Sequence, residues 1–424
     1  MSKFNINLHE TIYSLSNALD LVGVDHIHHG KRVAYMAAEC GQFMGWHVQR
    51  LDDLLQAAVL HDSGVSKTQV HARLAQFEWE NEVEHCEIGA SLLSSSRLLS
   101  HLADIVRHHH THWSELKDMD LPLEVKLSAN LIYLADRVEV SSQPYISGQT
   151  DILLAKEEIT RKIVDKKGLW FCPQLVDAFL SVSASEAFWF MLDGDHVDGY
   201  LAIWLSNCRD HEIEFHELRE LVRVFSHIVD AKSPFTQQHS EGVANLARFI
   251  GELFGLRDIK CEMLELAGLL HDIGKLRVPD ELLEKPGKLT ELEIVVMKRH
   301  SFDTYNILKP IKGLEAIALW ASQHHERADG SGYPYHLNAE KIPLEAKILA
   351  VADVFQALAQ KRPYRGSLPP AEILNILQEQ AVGGKLDELV VARVKVNLHE
   401  CWQAATMNTD VPRYKNERIT ETIC

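Results

Sequence analysis

The side chains best suited to chemistry in this 424-residue chain are histidines and aspartates that recur in matched order in its two halves. His271-Asp272 follows His61-Asp62 by 210 residues (271 − 61), and His239 follows His29 by the same interval (239 − 29). The interval is 215 for the later histidines (300 − 85 and 324 − 109) and 217 for the last aspartate (353 − 136). The interval between matched residues is therefore nearly constant along the two halves. The first set is His29, His61, Asp62, His85, His109, His110 and Asp136, and the second set is His239, His271, Asp272, His300, His324, His325 and Asp353.

A lone histidine is more often a solvated or hydrogen-bonded core residue than a metal ligand. Here that interpretation fails, because a given position is histidine by chance in about 1 of 18 cases (24/424), yet all five histidine positions coincide between the halves. Duplication could copy these residues, but the sequence around them has diverged widely. The pattern therefore predicts a metal site in the second half and a further one in the first half.

The types of ligand restrict which metals the sites would bind. Imidazole and carboxylate without thiolate suit Fe, Mn, Co, Ni or catalytic Zn rather than a closed structural zinc site. An adjacent His-Asp pair whose carboxylate bridges two ions indicates a dinuclear centre with the ions ~3.5–4 Å apart. Two such cations acidify a water molecule and neutralise a phosphoryl group, which is the chemistry of phosphoester hydrolysis.

A longer motif surrounds the second set. Residues 324–334 read His-His-Glu-Arg-Ala-Asp-Gly-Ser-Gly-Tyr-Pro, and residues 271–275 read His-Asp-Ile-Gly-Lys. Together they resemble the HD-GYP subfamily of the HD phosphohydrolase superfamily, and the resemblance spans residues 233–400. It implies an all-α domain that hydrolyses cyclic di-GMP or the cyclic GMP-AMP dinucleotide.

The resemblance also implies roles for individual residues. Asp272 would bridge the two metals, and Lys275 would contact the scissile phosphate or assist the leaving 3′-oxygen. Some members hold a third metal through a glutamate where this chain has Phe235, so two divalent metals and a linear 5′-phosphorylated product are expected. It further implies that His239, His271 and Asp353 would bind one ion, and that His300, His324 and His325 would bind the other. Arg362 and Arg365 would bind the second phosphate of the substrate.

Each of these substrate contacts has a plainer alternative. Lys275, Arg362 and Arg365 are of types that suit phosphate recognition, but they can equally be surface charges. Tyr333 can stack on a base or only pack, and the Gly-rich loop can be a purely structural turn.

The first half keeps the ligands but not the substrate contacts. Val65 occupies the lysine position, and Gln143 and Ile146 stand where the two arginines would be. Asp25, four residues before His29, is either an extra carboxylate ligand or an ordinary helix N-terminal aspartate. Three interpretations compete: a second phosphohydrolase that removes the 5′-phosphate from the linear product, a regulatory receptor, or a structural platform.

The elements that position these residues are predicted to be helices. Val243, Leu246, Ala247 and Ile250 recur at helical spacing, as do the apolar residues before His271-Asp272. We expect an all-α fold of two tandem HD-type helical bundles produced by duplication. The expected divisions are 1–185 for the first domain, 186–232 for a connecting region with room for a few strands, 233–405 for the second domain and 406–424 for a polar tail.

Composition limits the partners. A formal net charge of −17 argues against a nucleic-acid polymer, whose binding draws on Lys and Arg. No apolar run approaches the ~20 residues of a membrane span, and the seven scattered cysteines suit a reducing cytoplasm. A small cyclic dinucleotide is the expected partner, and a homodimer is left open. The rival functions are a non-catalytic cyclic-dinucleotide receptor and, less well supported, an enzyme acting on mononucleotides or guanosine tetraphosphate.

Overall fold

The computed structural model describes residues 2–22, 28–67, 83–146, 151–208, 211–232, 239–285, 287–360 and 366–406. Asp25, Phe235, Arg362, Arg365 and the tail from residue 407 therefore lie outside the described residues. The described chain is helical apart from two short strands. No helix in the described ranges is long and apolar enough to cross a membrane.

The first half opens with a strand and continues as helices. Strand β1 spans Lys3–Ile6. The helices that follow are α1 Leu8–Leu19, α2 His29–Phe43, α3 Val48–Leu60, α4 Val83–Ser94, α5 Ala103–Arg107 (after a 3₁₀ turn at Ser100–Leu102), α6 Trp113–Leu116, α7 Leu123–Ile146, α8 Ile152–Asp165 and α9 Pro173–Val182.

The connecting region is mostly helical too. It comprises α10 Glu186–Phe190, α11 Gly194–Ser206, β2 His211–Glu214 and α12 Phe215–Ala231. Strand β2 pairs antiparallel with β1, with Lys3 opposite Glu214, so the start of the chain is tied to the entry of the second half. Helix α12 begins with a capping box in which Glu214 and Glu217 satisfy each other's backbone N–H groups.

The second half repeats the helical bundle. Its elements are α13 His239–Leu253, α14 Asp258–Leu270, a 3₁₀ turn at Ile273–Arg277, α15 Asp280–Leu283, α16 Glu291–Leu308, α17 Glu315–Ser322, α18 Leu344–Ala359, α19 Pro370–Val382, α20 Glu388–Val396 and α21 Leu398–Thr406. The apolar stripe predicted from Val243 to Ile250 is buried, as is Leu270 just before His271. The prediction of an all-α duplicated fold is confirmed.

The repeated His-Asp-x-Gly sequence has a steric cause in each half. A Cβ at Gly274 would lie 2.1 Å from the carbonyl oxygen of His300, and one at Gly64 would lie 1.9 Å from that of His85. Only glycine therefore allows the turn after His-Asp to pack directly on the helix that carries the third histidine. The glycine brings His300 against Asp272, and His85 against Asp62.

The two halves pack against each other. Helix α1 of the first half contacts α16, which carries His300, and the 3₁₀ turn Ile273–Arg277, which directly follows His271-Asp272. Lys232, at the end of α12, is fully buried. Its ammonium group lies 3.1 Å from an Asp280 carboxylate oxygen and donates to the Ser66 carbonyl at 3.4 Å.

Candidate metal centres

Each ligand-type residue of the second half sits at a helix end or faces the bundle interior. His239 is the first residue of α13, and His271-Asp272 immediately follows α14. His300 lies on α16 and Asp353 on α18, while His324-His325 follows α17 within two residues. The structure thus brings all seven predicted residues of the second set together; we call this cluster the second centre.

The seven residues divide into two triads with Asp272 between them. His239, His271 and Asp353 place one ligand atom each within 4.8 Å of one another, and His300, His324 and His325 do the same. Asp272 Oδ2 lies 3.3 Å from His271 Nε2, whereas Oδ1 lies 3.5 Å from His300 Nε2. One carboxylate therefore offers one oxygen to each triad, as a bridging ligand does.

The imidazole rings are oriented by the helices that carry them. The Nδ1 atoms of His271, His300 and His324 hydrogen-bond to the backbone carbonyls of the residues three positions earlier, at 2.7, 2.5 and 2.6 Å. Since a neutral imidazole carries one proton, a donating Nδ1 leaves the lone pair on Nε2. In all three rings Nε2 points into the cluster, within 3.7 Å of an Asp272 oxygen.

The donor set fits divalent metal ions. His271 Nε2 and Asp272 Oδ1 are buried and have no hydrogen-bond partner of good geometry among the described residues. Such atoms are costly unless something compensates them. Nitrogen and carboxylate donors with no thiolate suit Fe, Mn, Co, Ni or catalytic Zn. The geometry does not distinguish among these metals.

Electrostatics keep His300, His324 and Asp272 in the protonation states that bind a metal. Burial lowers the pKa of His300 to about 4 and that of His324 to about 3. Burial alone would raise the pKa of Asp272, but the adjacent His271 imidazole, whose own pKa Asp272 raises, and the Lys275 ammonium hold it well below its usual range. The imidazoles of His300 and His324 are therefore neutral and this carboxylate is ionised at neutral pH.

Two of the predicted substrate-contact residues lie at the same cluster. Lys275, in the 3₁₀ turn after Asp272, donates a hydrogen bond from its ammonium group to Asp272 Oδ2. The Tyr333 ring lies 4.8 Å from the His325 ring, centroid to centroid. Arg362 and Arg365 lie outside the described residues, so their predicted role stays a prediction.

The first half builds a comparable cluster, which we call the first centre. His29, His61 and Asp136 form one group, and Asp62, His85, His109 and His110 form another, with ligand atoms again within 4.8 Å in each group. Asp62 Oδ2 lies 3.5 Å from His61 Nε2, and Oδ1 lies 3.6 Å from His85 Nε2. All seven predicted residues of the first set are thus brought together, with one Asp62 oxygen near a histidine of each group.

The comparisons with known proteins point to one family. Family models described as HD domain match residues 27–141 and residues 223–390. The chain is 36% identical over 405 residues to the 3′3′-cGAMP-specific phosphodiesterase 1 of Vibrio cholerae, covering 95% of this chain and 94% of that protein. This chain belongs to the HD-domain phosphodiesterase family. The sequence-based resemblance is confirmed, and the first half is a second HD domain.

Two further relatives of this HD-domain phosphodiesterase are informative. A V. cholerae crystal structure, the cyclic GMP-AMP-specific phosphodiesterase V-cGAP3, superposes with a TM-score of 0.63 at 25% identity, covering 93% of this chain and 98% of that one. The cyclic di-GMP phosphodiesterase response regulator RpfG of Xanthomonas campestris is 43% identical over 157 residues. That match covers only 37% of this chain and 41% of that protein.

The two centres of this HD-domain phosphodiesterase differ in the charges around the ligands. At the first centre, the buried Arg137 guanidinium lies 2.7 Å from Asp136 Oδ2, and Arg32 lies 3.0 Å from the buried Glu139 carboxylate. Val65, at the position of Lys275, is buried and lines a small pocket with Leu19, Val22 and Val59 beside His29, His61 and Asp62. The first centre therefore has an apolar wall where the second has an ammonium group.

Sequence reasoning missed the side chains that support the ligands. His29 Nδ1 lies 2.7 Å from Glu139 Oε2, and His239 Nδ1 lies 2.5 Å from Gln356 Oε1. Glu139 and Gln356 each stand three residues after the last aspartate of their set, so the interval of 217 that pairs the aspartates pairs them too (356 − 139). The change from carboxylate to amide hid them from a search for identical residues.

Glu326 was also missed, although it lies inside the recognised motif. Its buried carboxylate accepts the backbone N–H of Tyr335 at 2.6 Å and that of Leu337 at 2.8 Å. Gly332 packs under it, since a Cβ there would lie 2.5 Å from Glu326 Cα. Glu326 and Gly332 thus shape the loop that presents Tyr333 to His325.

Proposed function

We propose that this HD-domain phosphodiesterase opens a cyclic dinucleotide at its second centre and releases the linear 5′-phosphorylated dinucleotide. The observation that carries the proposal is the position of Asp272, with one oxygen toward each histidine-containing triad and Lys275 bonded to it. When bound, two divalent ions would supply the positive charge and the acidified water that phosphodiester hydrolysis requires.

The chain's own residues would orient the substrate and manage protons. Asp272, held ionised, fixes the separation of the two triads and accepts a hydrogen bond from Lys275. The Lys275 ammonium is half-buried at the edge of the cluster. From this position it can contact a phosphoryl oxygen or donate a proton to the departing 3′-oxygen. In the proposal, Tyr333 and the Glu326-anchored loop form the wall beside which one base lies.

We propose 3′,3′-cyclic GMP-AMP as the preferred substrate. The support is the extent of the similarity: the V. cholerae 3′3′-cGAMP-specific relative matches 95% of this chain, including the first half. The cyclic di-GMP relative from X. campestris matches 37% of it. Cyclic di-GMP is the alternative substrate of the same reaction.

The test is product analysis on the full chain. The protein is stripped with chelator, reloaded separately with Mn²⁺ or Fe²⁺, and given each cyclic dinucleotide, and products are separated by chromatography. We expect ring opening only in the reloaded protein, faster with the mixed GMP-AMP dinucleotide. Binding of a dinucleotide without ring opening under any loading would instead favour the non-catalytic receptor.

We further propose that the first centre removes the 5′-phosphate from the linear product. Its ligand groups are as closely assembled as those of the second centre, which favours a working site over a relic. The absence of a lysine at Val65 disfavours ring opening there. The expected result is inorganic phosphate appearing after the linear intermediate. No phosphate from a protein whose first centre holds metal would leave this half with a structural or regulatory role.

A further inference from the structure

The histidines that begin α2 and α13 differ from most of the other ligand histidines in what holds the ring. His61, His109, His271, His300 and His324 each hydrogen-bond through Nδ1 to the backbone carbonyl three residues earlier. His29 and His239 are the first residues of their helices, so no preceding helical turn offers them such a carbonyl. Their Nδ1 atoms bond to side chains instead, and a side chain can be changed by mutation.

The two side chains have different charges. Glu139 on α7 accepts from His29 through Oε2 at 2.7 Å, and Gln356 on α18 accepts from His239 through Oε1 at 2.5 Å. Both are buried. An ionised acceptor behind a ligating imidazole makes its other nitrogen a stronger donor to a metal, whereas a neutral amide only orients the ring.

The residues around Glu139 and Gln356 suit the charge of each side chain. Glu139 Oε1 also receives Arg32 Nη1 at 3.0 Å, and Arg32 is anchored by the Leu192 carbonyl at 2.7 Å. The position that corresponds to Arg32 is Gly242 (32 + 210), where a Cβ would lie 2.7 Å from Gln356 Cγ and 2.6 Å from the Ala405 carbonyl oxygen. No arginine fits there, so a glutamate at 356 would lack the buried cation that Glu139 has.

We propose that Glu139 and Gln356 are positioning residues that set different metal affinities for the two centres. The inference rests on the proposed metal sites and deepens them. The charged Glu139 gives the first centre the higher metal affinity. The neutral Gln356 adds no negative charge near the ion of the second centre, so that ion is bound more weakly. A graded chelator treatment of the full chain therefore empties the second centre before the first.

The direct test uses Mn²⁺ alone as the probe, on the full chain with its second centre disabled by His271→Ala and Asp272→Ala. In this background Glu139→Gln keeps an acceptor for His29 but removes its charge. We expect Mn²⁺ binding, measured by calorimetry and by the paramagnetic resonance signal of the free ion, to weaken about 10–100-fold. The double variant Glu139→Gln with Arg32→Gln keeps the net charge unchanged and is expected to weaken binding similarly.

The reciprocal variant is Gln356→Glu with the first centre disabled by His61→Ala and Asp62→Ala, and tighter Mn²⁺ binding is expected. Unchanged affinity in Glu139→Gln, with loss only in Glu139→Ala, would overturn the inference, because the side chain would then act through shape alone. Since binding is measured without substrate, this failure is distinct from failure of the proposed function. Absence of Mn²⁺ binding at either centre of the unaltered protein would defeat both.

Discussion

At the residue scale, the second centre depends on the buried imidazoles of His300 and His324, whose lowered pKa values keep them neutral. Asp272 and Lys275 lie between and beside them, and both were identified from sequence because their types and order match a known motif. The supporting residues Gln356 and Glu326 were not identified from sequence, because they act through hydrogen bonds that only the folded chain reveals. Arg137 was missed for the same reason, since its neighbour Asp136 was assigned only as a ligand.

Lys275 gives the first prediction. Because it is bonded to Asp272 and reaches the edge of the cluster, Lys275→Ala should lower the rate of ring opening about 10²–10⁴-fold, the range for loss of a proton-transferring group. Bound metal, measured by elemental analysis, should stay unchanged. Lys298→Ala is the matched control, since this exposed lysine lies 5.6 Å from the Tyr333 ring but does not contact the ligands. Equal rates in the two variants would remove Lys275 from the mechanism.

The buried histidines predict how the metal-free protein responds to acid. The pKa values of His300 and His324 are about 4 and about 3 in the folded chain, against about 6.5 in the unfolded chain. Between these values only the unfolded chain binds the protons. The free energy of unfolding should therefore fall as the pH is lowered from 6.5 to 5, by up to about 1.4 kcal/mol per pH unit for each histidine.

Urea unfolding of chelator-treated protein at several pH values measures that slope. The variant His300→Gln with His324→Gln lacks both groups and should show a shallower dependence on pH. An unchanged slope in this variant would mean that the two rings titrate normally in the folded chain.

At the element scale, helix ends and tight turns position the site. The helices were predicted from apolar periodicity, and the glycine after each His-Asp pair lets the turn pack on the next histidine helix. The loop after His325 was recognised as a motif, but its shape was not predictable because it depends on one buried carboxylate. Glu326 holds this loop through two backbone N–H groups nine and eleven residues away.

Glu326→Gln should therefore loosen the loop without emptying the centre. The amide can accept only one of the two N–H groups through its oxygen, leaving the other unpaired at a cost of about 1–3 kcal/mol. We expect a higher KM for the cyclic dinucleotide with unchanged bound metal. Asp329→Asn is the control, because its exposed carboxylate accepts the N–H of Ser331, two residues away, and no distant backbone group in the described part of the chain is known to depend on it. A KM that rises equally in both variants would contradict the role assigned to Glu326.

At the scale of the whole molecule, the duplication was predictable and the docking of the halves was not. The matched intervals gave the two bundles, but contacts between α1 and α16 join residues that no repeat pattern relates. Lys232 links the loop that follows His61-Asp62 to the segment that follows His271-Asp272, through Ser66 and Asp280. Lys232 therefore joins the two halves close to both centres.

Lys232→Met tests that junction. Removing the ammonium leaves Asp280 without this buried cation, which should lower the free energy of unfolding by about 3–5 kcal/mol. Adding Asp280→Asn should restore part of the loss, because the buried negative charge is then gone. Chemical unfolding of the two variants and the parent measures both steps. A Lys232→Met protein as stable as the parent would show that the ion pair does not hold the halves together.

In the proposed division of labour, the second centre opens the cyclic dinucleotide and the first does not. Asp272→Asn and Asp62→Asn form a matched pair, since each removes the charge of the carboxylate that lies between the two ligand groups of one centre. In time courses by chromatography on metal-loaded full-length protein, Asp272→Asn should lose ring opening, whereas Asp62→Asn should open the ring normally and accumulate the linear 5′-phosphorylated dinucleotide. Ring opening at the unaltered rate in Asp272→Asn, or its loss in a folded Asp62→Asn protein, would contradict this division of labour.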